Sequence, residues 1–228
     1  MKTRSMADIA VYHGRKSISG ESVVKALRRL RIGFKMVTAR DIARGKLGRF
    51  AAVIFPGGNS IQLDPKSLAA AKAFIRSGGG MVGVCAGAQF GAAERLLNVR
   101  HHILRGNGIL DMRVVARGPI TRGYAVAGPH RNRRTWKYSN RGRVRIRYAN
   151  GGFCDVGRGV RTFVSMDEEG RMGTIVAGRY GRGRVVLITP HPESTPPPEM
   201  KRGINSDKSQ DPLGLFANAV RWAAVIQH

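Results

Sequence analysis

Cys85 is the residue whose surroundings most strongly indicate chemistry. It stands in the stretch GVCAG (83–87), directly after an apolar run and before a helical pattern. A sharp turn from strand to helix strains the residue at the turn, and small neighbours relieve the crowding. A helix that begins at Ala86 would direct free amides at the sulfur and favour the nucleophilic thiolate. The stretch predicts a nucleophile; the alternative is a cysteine buried where a helix contacts the sheet.

A histidine and a glutamate that suit this nucleophile occur in the stretch TPHPE (189–193), at the end of another apolar run. His191 could serve as base toward Cys85, and Glu193 could hold the imidazole by its second nitrogen. The prolines on both sides of His191 restrict the backbone, which favours a fixed orientation over a surface histidine at a loop entry.

A third stretch, FPGG (55–58), closes a further apolar run. Adjacent glycines, Gly57 and Gly58, could direct backbone amides at the oxyanion that develops in acyl transfer. The alternative is an ordinary turn. All three stretches follow predicted strands, and open α/β sheets place their sites at the carboxyl ends of strands.

The elements that position these residues follow from periodicity. Strands are predicted at 7–14, 33–38, 51–58 and 81–84, alternating with helices that begin near Ser19, at Asp64–Pro65 and over 86–97. Beyond residue 98, short strands are predicted at 110–116, 123–127, 143–149 and 161–166, then a hairpin over 173–193 and a last helix over 212–226. We therefore expect one domain over 1–228: an α/β fold with an open, mostly parallel sheet flanked by helices, and a β-rich C-terminal half.

The chain is strongly basic, with 40 Lys and Arg against 14 Asp and Glu and a net charge of +26. No acidic residue occurs from Met112 to Cys154, where the basic residues are Arg113, Arg117, Arg122, Arg131, Arg133, Arg134, Lys137, Arg141, Arg143, Arg145 and Arg147. This surface could bind nucleic acid or another polyanion, or it could be a solvated basic face.

Other features exclude several classes of protein. No apolar run approaches membrane length, and the first strand starts too early to leave room for a signal sequence. Two cysteines make no disulfide framework, so the cytoplasm is the expected compartment. No phosphate loop or dinucleotide motif occurs, and His101–His102 has no partner ligands at metal spacing, so we expect an exposed pair and neither a metal nor a cofactor. Cys154 is expected to be packed rather than reactive.

The stretches VIFPGG (53–58), GVCAGAQ (83–89) and HPE (191–193), in this order, resemble the class I glutamine amidotransferase-like superfamily, and the likeness spans nearly the whole chain. Within it, the stretches at 11–30, 84–88 and 148–155 are similar to the domain at the N-terminus of eukaryotic biotin-protein ligases. No biotin-transferring domain is present in the sequence, so the resemblance does not imply biotinylation.

The resemblance implies a flavodoxin-like fold and a Cys-His-Glu triad: Cys85 as nucleophile, His191 as base and Glu193 as its orienting carboxylate. It also implies oxyanion amides from Gly58 and Ala86, a loop shaped by Gly57, and a substrate-binding role for Gln89. Asn150 is a further candidate beside the pocket, with an ordinary turn as the alternative.

The expected activity is hydrolysis or transfer at a C–N bond of glutamine or another small amide. A coupled reaction would require a separate synthetase or an ammonia-accepting partner. The alternative is a catalytically silent scaffold whose basic surface binds nucleic acid or another polyanion.

Overall fold

The computed structural model describes residues 9–14, 20–127, 142–196 and 210–225. Within these ranges the helices are α1 (Gly20–Arg29), α2 (Ala39–Ala43), α3 (Pro65–Arg76), α4 (Ala86–Ala93) and α5 (Pro212–Ala223). The strands are β1 (Ile9–Tyr12), β2 (Phe34–Val37), β3 (Ala52–Phe55), β4 (Gly80–Val84), β5 (Val99–His102), β6 (Asn107–Val114), β7 (Arg143–Ala149), β8 (Phe153–Val156), β9 (Val160–Ser165), β10 (Gly173–Tyr180) and β11 (Gly183–Ile188). Short 3₁₀ turns occupy Lys46–Arg49, Pro119–Thr121 and Pro192–Ser194. Ser19 and the basic residues from 131 to 141 lie outside the described ranges.

All of these strands belong to one mixed sheet, with the order β2-β1-β3-β4-β11-β10-β9-β6-β7. The pairings from β2 to β11 are parallel, and those from β11 to β7 are antiparallel. β5 and β8 form an antiparallel pair that joins the sheet through β10. The expectation of a mostly parallel sheet is therefore not confirmed, because short turns such as the one between β10 and β11 can only join antiparallel strands.

The parallel half forms because its central strands are apolar on both faces. β1, β3 and β4 are buried at every position, as expected for strands covered by helices on both sides. Alternate residues of β1 enter two different cores: Ile9 and Val11 pack with α1 and α5, whereas Ala10 and Tyr12 pack with α3 and α4. The period of two in a strand thus assigns the helices to the two faces.

Several predicted elements have other bounds in the structure, and two of the differences have a clear local cause. α4 ends at Ala93, four residues before the expected end, because Arg95 takes a left-handed conformation (φ 54°) and its N–H donates to the Ala92 carbonyl. The segment 123–127 is not a strand. The backbone of Ala125 instead bonds the side chain of Gln210, which accepts from the Ala125 N–H at 2.7 Å and donates to its carbonyl at 3.3 Å.

Candidate active site

Cys85 occupies a strained turn between β4 and α4. Its φ of 50° and ψ of −108° lie outside the regions that non-glycine residues normally adopt. The two glycines of the frame are required by close backbone approach. A Cβ at Gly83 would lie 2.3 Å from the Gly87 carbonyl oxygen, and one at Gly87 would lie 1.9 Å from the Phe55 carbonyl oxygen. The glycine frame therefore lets the ends of β3 and β4 and the first turn of α4 pack against one another.

Gly57 lies between Cys85 and the imidazole of His191. A Cβ at this position would be 2.9 Å from Cys85 Cβ and 2.9 Å from His191 Cε1. Because Cys85 Cβ and His191 Cε1 each lie 2.9 Å from this one point, the distance between them cannot exceed twice 2.9 Å. The absence of a side chain at Gly57 is thus what allows Cys85 and His191 to face each other.

The side chain of Cys85 is nearly enclosed. The residue is 8% exposed, and its Sγ lies 3.7 Å from the carbonyl oxygen of Ala149, within reach of a thiol S–H donor. Ala149 ends β7, in the antiparallel half of the sheet. The candidate nucleophile therefore sits where the two halves of the sheet meet.

His191 is held by hydrogen bonds at its ring and at its backbone. Its Nδ1 lies 2.9 Å from Glu193 Oε1, and the two side chains are 12% and 2% exposed. The His191 N–H donates to the Arg147 carbonyl at 2.8 Å. The Thr195 hydroxyl donates to the His191 carbonyl at 2.7 Å and accepts from the Arg147 N–H at 3.0 Å. The ring is thereby fixed to β7 as well as to the turn that carries it.

The charge state of His191 follows from these neighbours. Burial acts most strongly and would lower the pKa of His191. Hydrogen bonds from the ring to Cys85 and Glu193, together with the negative charge of both partners, outweigh burial and raise the pKa from its ordinary value of 6.5 to about 10. The second oxygen of Glu193 is buried with no hydrogen-bond partner among the described residues. The site therefore favours a protonated His191 ring at neutral pH.

The remaining predicted site residues occupy this edge of the sheet in different ways. Gly58 is exposed with a φ of 108°, and Ala86 is buried at the first position of α4. Gln89 is half-buried, and its N–H donates to the Cys85 carbonyl at 3.0 Å. Asn150 directly follows Ala149, but its side-chain oxygen accepts from the Gly106 N–H at 2.8 Å. That bond ties the Asn150 amide oxygen to the loop after β5.

Three residues near the site were not found from the sequence. The carbonyl of Ala149 and the hydroxyl of Thr195 are described above, and the third is Tyr148. Its hydroxyl accepts from the Gly152 N–H at 2.8 Å and donates to the Leu104 carbonyl at 2.5 Å. Burial and the nearby Cys85 charge raise the pKa of Tyr148, although the Gly152 bond opposes them. The only signal was the stretch YANGG (148–152), which pointed to Asn150 instead.

The other cysteine and the histidine pair have structural environments. Cys154 is fully buried and not disulfide-bonded, and burial, together with the charge of Asp155, raises the pKa of its thiol to about 12. The two histidines are half-buried in β5 rather than exposed: His101 Nε2 lies 2.8 Å from the Gly151 carbonyl, and His102 Nε2 lies 2.6 Å from Asp155 Oδ2. In the part of the chain that the structure describes, no group of three metal-ligating side chains occurs, and no helix is long and apolar enough to cross a membrane.

A cavity of about 960 Å³ opens at the same edge of the sheet. It is lined by the end of β1 with His13 and Gly14, by the start of α2 with Thr38, and by the segment 59–62 that directly follows Gly58. This volume lies within the range of small-molecule sites. The cavity therefore offers space for a ligand next to the segment that follows Gly58, although Cys85, His191 and Glu193 are not among the residues that line it.

The fold is that of class I glutamine amidotransferase-like proteins. More narrowly, the chain belongs to the family described as biotin-protein ligase, N terminal, whose model matches residues 7–215. No curated protein matches the chain.

Solved structures share the fold over nearly the whole chain. PurLQS from Thermotoga maritima is 18% identical, covers 96% of this chain and 99% of its own, and has a TM-score of 0.64. A GMP synthase subunit from Thermoplasma acidophilum is 14% identical, with 97% and 96% covered and a TM-score of 0.63. A glutamine amidotransferase from Thermotoga maritima is 13% identical, with 96% and 99% covered and a TM-score of 0.59. At these identities the likeness establishes the fold alone.

Proposed function

We propose that this protein is a cysteine-dependent C–N hydrolase or amidotransferase in which Cys85 is the nucleophile, His191 the base and Glu193 its orienting carboxylate. The observation that carries the proposal is the convergence around Gly57, where Cys85 Cβ and His191 Cε1 are both 2.9 Å from one point. The 2.9 Å contact of Glu193 with the far nitrogen of the ring supports the third role. We further propose that the whole chain, 1–228, forms one domain built around this site.

The proposed reaction has two steps. The Cys85 thiolate attacks the carbonyl carbon of an amide, a C–S bond forms, and the amides of Gly58 and Ala86 bind the oxyanion. The His191 imidazolium gives its proton to the leaving amine as the C–N bond breaks. Water then attacks the thioester, His191 takes a proton from it, and the acid leaves as the Cys85 sulfur is released. The raised pKa of His191 supports this sequence, because the first step requires the protonated ring.

We propose a small amide, with glutamine as the first candidate, as the substrate. The cavity of about 960 Å³ beside Gly58 supports a ligand of that size class. Gln89, on the first turn of α4, is the proposed substrate-holding side chain. A reaction that uses the released ammonia would require a separate synthetase or acceptor protein, and we propose cytoplasm as its setting.

The test is ammonia release from glutamine and a panel of small amides by wild type and Cys85→Ala. We expect the variant to lose all turnover while its thermal unfolding stays close to wild type. Cys154→Ala is the matched control, and it should retain turnover, because that thiol is fully buried. Turnover by Cys85→Ala of any substrate that the wild type uses would refute the mechanism. Slow alkylation of Cys85 by iodoacetamide at neutral pH would also contradict it.

A second candidate function is polyanion binding by a silent scaffold through the arginines of 113–147. The net charge of +26 favours it, and Arg145 and Arg147 are exposed. Several arginines of this surface have acidic partners, since Arg143 bonds Asp111 at 2.7 Å, Arg145 lies 3.9 Å from the same carboxylate and Arg113 lies 3.8 Å from Glu168. Nucleic-acid binding that is lost on changing Arg145 and Arg147 to Gln, with no ammonia released from any amide, would support this candidate.

A further inference from the structure

A groove of about 600 Å³ lies at the edge of the sheet opposite Cys85. It is lined by four segments: 95–98 after α4, 158–163 at the start of β9, 177–180 at the end of β10, and Trp222 of α5. β11 runs parallel to β4 and antiparallel to β10, so the end of β10 lies at the edge where β4 begins. We call this feature the arginine groove. It is separate from the candidate active site, which follows the carboxyl end of β4.

The arginine groove carries unbalanced positive charge. Its lining includes Arg95, Arg158, Arg161 and Arg179, all exposed, and no Asp or Glu among the described residues. None of the four is in an ion pair in the part of the chain that the structure describes. Four guanidinium groups around one concavity repel one another, and an anionic ligand would relieve that repulsion.

Several contacts hold the walls of the groove in place. The guanidinium of Arg161 lies 5.5 Å from the centroid of the Phe163 ring, and Arg179 donates to the Arg182 carbonyl at 3.4 Å. Behind the lining aromatics, Arg76 donates to the Tyr180 hydroxyl at 2.8 Å. Arg184 donates to the Trp222 carbonyl at 2.9 Å and lies 5.3 Å from its ring centroid. Among the lining arginines, Arg161 and Arg179 are thus held before a ligand binds and lose less side-chain freedom when it does.

From these observations we infer that the arginine groove binds the phosphate groups of a small polyphosphorylated ligand. Guanidinium groups pair phosphate oxygens through two parallel hydrogen bonds, and they do so with higher geometric specificity than lysine. The volume of about 600 Å³ suits a small molecule rather than an extended strand. The phosphates could belong to an inorganic polyphosphate or to a nucleotide, and the experiment below separates the two.

The test uses the full-length protein at physiological salt with inorganic tripolyphosphate and with ATP as separate ligands. Trp222 lines the groove and Trp136 is the second tryptophan of the chain, so fluorescence in a Trp136→Phe background reports on Trp222. We expect saturable binding of at least tripolyphosphate, detected by both fluorescence and calorimetry. Equal affinities would assign binding to the phosphates alone, and tighter binding of ATP would show that the nucleoside also contacts the groove.

The variant is Arg158→Gln combined with Arg161→Gln, and the matched control is Arg117→Gln combined with Arg122→Gln. Both pairs are exposed, and both changes remove two positive charges. We expect the groove variant to bind at least about tenfold more weakly and the control to lose less than about threefold. Equal losses would mean a diffuse electrostatic effect and would overturn the inference. Absence of binding to both anions would also overturn it. Cys85→Ala should bind normally, so this result is independent of the proposed hydrolysis.

Discussion

The two edges of the sheet handle charge in opposite ways. At the edge that follows β4, His191 and Glu193 are 12% and 2% exposed and are joined by a 2.9 Å hydrogen bond. At the other edge, four arginines are exposed, with no carboxylate among the residues lining the groove. Burial with a partner fixes a charged group to within a fraction of an ångström, as covalent chemistry requires. Exposure without a partner leaves charge free to attract an anion from solution. The comparison separates a candidate site for bond breaking from a candidate site for binding.

After Cys85→Ala, the change Gly57→Ala should have the largest effect on turnover at the buried edge. The added methyl would lie 2.9 Å from both Cys85 Cβ and His191 Cε1, so the two must move apart. Moving a catalytic group by about 1 Å can cost about 100-fold in turnover, and we expect kcat/KM to fall by about that factor. Gly48→Ala is the control, because a Cβ there meets no atom within 4 Å. Binding of tripolyphosphate at the arginine groove should be unchanged. An active Gly57→Ala enzyme would show that the two groups need no such proximity.

Glu193→Gln should separate charge from hydrogen bonding at the same edge. Glu193 raises the pKa of His191 through both its hydrogen bond and its charge, so the variant should titrate well below the wild-type value of about 10. The titration can be followed by NMR of the labelled imidazole. Turnover should fall about 10- to 100-fold, because the ring loses its orienting anion.

The raised pKa of His191 also predicts that the stability of the protein depends on pH. The folded-state pKa of His191 lies above its ordinary 6.5, so its stabilisation is complete below pH 6.5 and is lost as the pH rises through about 10. The free energy of unfolding of the wild type should therefore decrease across that window, and that of Glu193→Gln should decrease less. Parallel profiles for the two proteins would contradict the assignment of the shift to Glu193.

Thr195→Val should have the smallest effect of the series. It removes the hydroxyl that links the Arg147 N–H to the His191 carbonyl, while the direct bond between these two backbones remains. We expect kcat to fall about 3- to 10-fold with little change in KM. Thr162→Val is a matched control, because the Thr162 hydroxyl is buried with no partner among the described residues. That control should keep its activity and its stability. Equal effects of the two changes would remove Thr195 from the positioning of the ring.

The parallel half of the fold was predictable because its signals are local. Continuous apolar runs locate β1, β3 and β4. The pair Asp64–Pro65 marks the start of α3, and the Asp64 side chain accepts a hydrogen bond from the Ser67 N–H at 2.9 Å. The antiparallel half was harder because strand order depends on distant pairing. β5 was missed altogether, since its short polar sequence VRHH shows no apolar alternation.

The same distinction applies to the candidate site. Cys85, His191 and Glu193 are found from short stretches because strand ends and turn residues constrain them locally. The contacts of Ala149 and Thr195 could not be predicted, because they arise only when β7 reaches the turn at His191. Every residue has a backbone carbonyl, so the residue type at 149 does not indicate that this carbonyl contacts Cys85. The sequence therefore indicates which groups could react, whereas their surroundings depend on the pairing of strands remote in the chain.

The attachment of His191 to β7 has a consequence for synthesis of the chain. The turn that carries Cys85 leaves the ribosome with α4, whereas the imidazole follows β11, the strand that joins the two halves of the sheet and whose Ile188 carbonyl accepts from the Cys85 N–H at 2.7 Å. A partly translated polypeptide thus carries its thiol without a proton acceptor. If Cys85 is the nucleophile of the proposed function, its reactivity would switch on only when β11 is inserted into the sheet.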